Sequence, residues 1–244
     1  CGGRHEACPK VDVTAQAAGR RPAAARFEHR LGTRPARLRA TGEPPRWPER
    51  AVSSTASHEE EVANALSHGL GVVLSLVGGA VLLTMSALRG STIQFVAAAV
   101  FVFGLVLLYS ASTLYHAARD ALTKSRLKVF DHCAIYILIA ATYTPFTLVS
   151  LRGSWGWGLF AVVWSLALAG VVFKLFYTGH FRRTSTALYI AMGWLALVAI
   201  VPLVRALPPA TLGWMLAGGV AYTAGTAFYH NHRIPYAHAI WHGF

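Results

Sequence analysis

The chain has 244 residues, 55% of them in the hydrophobic class and only 13% charged, a balance too apolar for an ordinary soluble domain. Its net charge of +12 invites a nucleic-acid role, but about half of that excess lies in the first 57 residues, apart from the apolar blocks, and we reject that role. The three cysteines, Cys1, Cys8 and Cys133, make neither a disulfide framework nor a Cys-x-x-Cys zinc motif.

Residues 1–57 are rich in Arg, Ala, Pro and Gly and contain no apolar run. Such a segment buries too little surface to offset its ordering entropy, so a disordered basic tail is expected. It lacks the hydrophobic stretch of a secretory signal. The chain starts at Cys1 and its first methionine is Met85. The tail therefore reads as sequence outside the native protein, or else as a basic arm touching anionic lipid.

From residue 58 to 244 the apolar residues come in long blocks. A helix needs about 20 such residues to cross a hydrocarbon core roughly 30 Å thick. Six segments qualify, near 62–86, 93–116, 130–150, 156–176, 186–204 and 211–230, and a seventh begins near Tyr236. The expected fold is all-α, a polytopic seven-transmembrane-helix bundle. From Tyr236 to Phe244 a helix reaches only about 14 Å at 1.5 Å per residue, so the seventh is expected to be truncated. Pro145 and Pro202 are expected to kink their helices, with neighbouring helices satisfying the freed carbonyls.

Lys and Arg in short loops set the orientation. Even-numbered loops carry eight such charges, among them Lys124, Arg126, Lys128, Arg182 and Arg183, against three in the odd-numbered loops. The amino terminus is expected in the cytoplasm, in an integral membrane protein of the plasma membrane.

That topology brings polar residues of three segments to one depth. His116 ends the second segment, Asp131 opens the third, and His238 and His242 open the seventh. Intramembrane ionisable groups are costly and mark sites. The spacing of four puts His238 and His242 on one helical face, as a shared metal requires. Three imidazoles leave a fourth tetrahedral position of zinc open for water, although cobalt, nickel or copper are also tolerated. Asp131 would orient that water or act as general base, and Ser112, one turn before His116, would bond an oxyanion or a ligand's outer partner. Glu61, Asn64 and His68 share a face at the start of the first segment, where they would cap the helix or brace the site. His132 points about 100° away from Asp131 and is not expected to be a ligand.

The stretches EEVANALSHGLG (60–71), SASTLYH (110–116), FDHCAIYILIAATYTP (130–145) and HAIWH (238–242) resemble the haemolysin III family, within the broader group of progestin and adipoQ receptors. The resemblance covers about 59–244. It implies seven helices with a cytoplasmic amino terminus, and a zinc ion held by His116, His238 and His242, with Asp131 and Ser112 beside it. The group also resembles alkaline ceramidases, which implies hydrolysis of a lipid amide. Within the family the seventh helix continues well past the second histidine.

Two functions follow from different classes. One is a zinc-dependent hydrolase of a membrane lipid amide, with membrane lipids as its partners. The other is a non-enzymatic membrane-homeostasis or membrane-lytic protein in which zinc is structural. A transporter or haem-binding bundle ranks third, since haem ligands usually oppose each other on facing helices whereas His238 and His242 share one face.

Overall fold

The computed structural model describes residues 56–231 and 233–244, and these are helical throughout, with no strand among them. Apart from Ala56 and Ser57, the basic tail lies outside the described residues, as does His232.

Local capping chemistry sets the first three starts. Helix α1 (His58–Arg89) begins with a capping box. The Ser57 hydroxyl accepts from the Glu60 N–H at 3.2 Å, and the Glu60 carboxylate accepts from the Ser57 N–H at 3.0 Å. Three glutamates in the first turn suit the positive end of the helix dipole. Ser91 and Gln94 repeat the device at the start of α2 (Thr92–Ala117), so α1 and α2 join through a short connection and pack as neighbours.

Helix α3 (Ala121–Pro145) starts nine residues before the expected segment. Asp120 accepts from the Thr123 N–H at 2.7 Å, a bond that also holds its carboxyl below the usual range. Lys124, Arg126 and Lys128, read from the sequence as loop charges, are therefore on the first turns of α3. After Pro145 the helix widens into a π-helical turn, Phe146–Leu151, before α4 (Gly153–Tyr177).

The expected fifth segment is broken into α5 (Arg182–Gly193), a 3-10 stretch (Trp194–Ala199) and α6 (Ile200–Ala206). The break is held from outside. The Tyr143 hydroxyl of α3 shares its proton between the Met192 and Gly193 carbonyls, at 2.9 and 2.8 Å, and accepts the Ala196 N–H at 2.8 Å. Pro202 inside α6 removes a further backbone donor. Helix α7 (Pro209–His230) and the six-residue α8 (Ala237–His242) complete the described chain.

Among the described residues five spans are long and apolar enough to cross a membrane: α1, α2, α3 with its π turn, α4, and α5 through α6. Helix α7 has the length, but its apolar residues are diluted by Gly, Thr and Tyr. Large apolar side chains such as Leu70, Val77, Leu88, Phe176 and Trp214 face outward. The inside is built on small residues, including Ala97, Ala98, Ala140, Ala141 and Ala167. That inversion is how helices pack in lipid, where burial of apolar surface does not drive association and close backbone approach does. At Gly170 of α4 the backbone lies against the Tyr136 ring of α3 so closely that any Cβ would collide with it.

Candidate metal centre

Two elements supply the three histidines of the centre. His116 lies in the last turn of α2 and is buried, while His238 and His242 sit one turn apart on α8. Two neighbours locate α8. Tyr236, at φ +56° just before it, donates its N–H to Glu60 at 3.1 Å and its hydroxyl to Glu59 at 3.3 Å, tying the start of α8 to that of α1. On the other side Gly225 of α7 admits the Trp241 ring, since a Cβ there would fall 2.8 Å from it.

The imidazole centroids are 5.1 Å apart for His116 and His238, 5.2 Å for His116 and His242, and 4.6 Å for His238 and His242. One ring nitrogen from each lies within 4.8 Å of the others, so the three can hold a metal ion. The hydrogen bonds of His116 and His242 leave the correct atoms available. The His116 Nδ1–H donates to Glu61 Oε2 at 2.8 Å, and that carboxylate also pairs with Lys124 Nζ at 3.1 Å. His116 Nε2 is buried with no hydrogen-bond partner, an orphan lone pair that a cation satisfies. His242 Nδ1 is engaged by the Ser67 hydroxyl at 3.0 Å, which leaves its Nε2 for the centre. Outer partners of this kind fix the tautomer and aim the ring. The residues present therefore fit a three-imidazole metal site.

Asp131 lines the same cavity, of about 440 Å³, and hydrogen-bonds with Ser112, but it stands outside the ligand-distance group. Its side chain is 13% exposed. Ser112 is fully buried on α2, one turn from His116. His68 stacks on His242 at a centroid distance of 3.5 Å and meets the Tyr109 ring edge-on. Asn64 is buried, lines the cavity, and keeps its side-chain oxygen unpartnered. Of the three residues expected to cap α1 or brace the site, Glu61 touches His116 and His68 touches His242, while Asn64 lines the cavity. His132 turns its Nδ1 to the Lys128 carbonyl at 2.6 Å, away from the ligand group.

Sequence reasoning missed Ser67 and Lys124 as parts of this centre. Ser67 lies three residues after Asn64 and beside His68, close enough on the helical wheel to have been included. The role of Lys124 was hidden, because its pairing with Glu61 depends on how α1 and α3 each pack against α2.

Fold and site together define a polytopic helical membrane protein with a three-histidine centre where α2 and α8 meet. Comparison with known proteins agrees: the family described as Haemolysin-III related matches residues 56–244, and the chain belongs to that family. It is 45% identical to the Hemolysin-3 homolog of Bacillus subtilis over 186 residues, 76% of this chain and 87% of that protein. Identity to Hemolysin-3 of Bacillus cereus is 41% over 196 residues, covering 80% and 90% of the two chains. A more distant relative, the human Monocyte to macrophage differentiation factor, is 27% identical over 193 residues, 76% of this chain and 78% of that one.

Proposed function

We propose that this protein is a zinc-dependent hydrolase of a membrane lipid amide. Its active centre would lie near the cytoplasmic face of the bacterial plasma membrane and its amino terminus in the cytoplasm. The observation that carries the proposal is the convergence of three imidazoles on a cavity shared with Asp131 and Ser112, with the outer nitrogens of His116 and His242 engaged by Glu61 and Ser67. A purely structural ion needs a closed set of protein ligands, and here neither carboxylate of the cavity, Glu61 or Asp131, is in the ligand-distance group.

His116, His238 and His242 would hold the ion, and when bound it supplies a Lewis acid and lowers the pKa of water to about 7. The chain's own chemistry follows from the cavity. Asp131 accepts the proton of the attacking water on its carboxylate and returns it to the departing amine nitrogen. Ser112 donates its hydroxyl proton to that carboxylate and fixes its direction. Glu61, through the His116 Nδ1–H, keeps the ligand nitrogen unprotonated. Apolar walls at Leu108, Ile135 and Leu138 suit an acyl chain.

The test is metal content by mass spectrometry of the purified protein, with His116→Ala and His242→Ala beside it, followed by hydrolysis assays on lipid amides with Asp131→Asn. Near-stoichiometric zinc lost in both histidine variants, with turnover lost in Asp131→Asn at unchanged zinc, is the expected result. Metal-free folded protein would overturn the hydrolase and favour a membrane-homeostasis role. The name haemolysin carried by the Bacillus relatives suggests membrane lysis as well. Asp131→Asn should spare any lysis seen on overexpression, and equal loss of both activities would refute their separation.

A further inference from the structure

The cavity that the three histidines face has a second polar wall with no part in the chemistry above. Lys174, from the last turn of α4, lines it at 2% exposure, and among the described residues no acidic group pairs with its ammonium. Ser185, on the first turn of α5, is also 2% exposed, lines the same cavity, and its hydroxyl has no hydrogen-bond partner. Arg182 lies three residues before Ser185 and also lines the cavity, with its guanidinium bonded to the Tyr229 carbonyl at 3.3 Å; it stands at an α5 start with no side-chain cap, the positive end of that helix's dipole. Lys128 of α3 completes the wall and is close enough for its charge to repel those of Lys174 and Arg182. Of the two carboxylates in the cavity, Glu61 is bonded to Lys124 and His116, and Asp131 is bonded to Ser112.

A buried ammonium without a counter-ion, beside a buried hydroxyl without an acceptor, is costly unless a ligand completes both. Hydrophobic packing alone has no use for this arrangement, whereas an anion satisfies every element of it. Building on the hydrolase assignment, we infer that Lys174 and Ser185, with the uncapped start of α5, form a headgroup subsite for an anionic, phosphate-bearing lipid. The substrate is then an acylated amphiphile whose phosphate anchors on this wall while its amide reaches the three histidines.

Equilibrium binding to the purified full chain tests this at one fixed detergent concentration. The probes are oleoyl lysophosphatidate, uncharged mono-oleoylglycerol with the same acyl chain, and inorganic phosphate. Charge-assisted bonds of this type lead us to expect roughly tenfold or greater preference for the lysophosphatidate over the neutral lipid. Lys174→Met and Ser185→Ala should each reduce that preference, and Lys174→Arg should keep most of it, all with zinc content unchanged. Equal affinity of the unsubstituted protein for the two lipids overturns the subsite, whatever the variants do. So does a preference that survives Lys174→Met, and inorganic phosphate competing as well as the lysolipid would put a free anion there instead. A protein without zinc that still prefers the lysophosphatidate would remove the hydrolase and leave this subsite standing.

Discussion

Replacing Glu61 by Gln probes how the centre is held rather than what it holds. One oxygen, Oε2, receives both the His116 Nδ1–H at 2.8 Å and the Lys124 ammonium at 3.1 Å. The side chains are 4%, 11% and 13% exposed for His116, Lys124 and Glu61, so little water competes. Glutamine can keep both contacts through its amide oxygen but not the negative charge. The Lys124 charge is then left uncompensated beside an imidazole that must donate electron density to a dication. Hydrogen bonds to charged groups contribute about 1.5–3 kcal/mol, and outer partners of metal-binding histidines typically govern about 10–100-fold in affinity. Competition with a chromophoric zinc chelator should show Glu61→Gln weaker by about tenfold or more, with Glu61→Asp between it and the parent. Affinity of Glu61→Gln within about threefold of the parent, while His116→Ala loses the ion, would refute the role of Glu61 in orienting His116.

Ser67→Ala removes a neutral bond to His242 Nδ1, and the same zinc competition should show a smaller loss, about threefold to tenfold. Gly225→Val would drive a side chain into Trp241 and displace α8, so zinc stoichiometry should collapse; Gly218→Val on the same helix, where a Cβ meets open space, should leave it intact. Tyr143→Phe deletes the hydroxyl that braces the break between α5 and α6. It should lower stability by about 1–3 kcal/mol, read as a drop in the thermal midpoint in detergent with zinc stoichiometry unchanged.

The sequence by itself determined that this is a helical membrane protein, because the blocks of apolar residues are a local property of composition and length. Segment order also led to the expectation that His116, Asp131, His238 and His242 come together, and all four line one cavity. Apolar blocks do not mark helix starts: the Ser57–Glu60 box begins α1 before its expected segment at 62, and Asp120 moves the start of α3 back into a stretch whose lysines and arginines look like loop. Only the tertiary structure decided what His116 and His242 do with their second nitrogens. Glu61 and Ser67 reach His116 and His242 across 55 and 175 residues of chain, and no spacing rule spans such distances. The break in the fifth segment was hidden for the same reason, being held by a tyrosine from α3. The cationic wall was hidden too: Lys128, Lys174 and Arg182 belong to three helices, and packing alone turns them into one cavity.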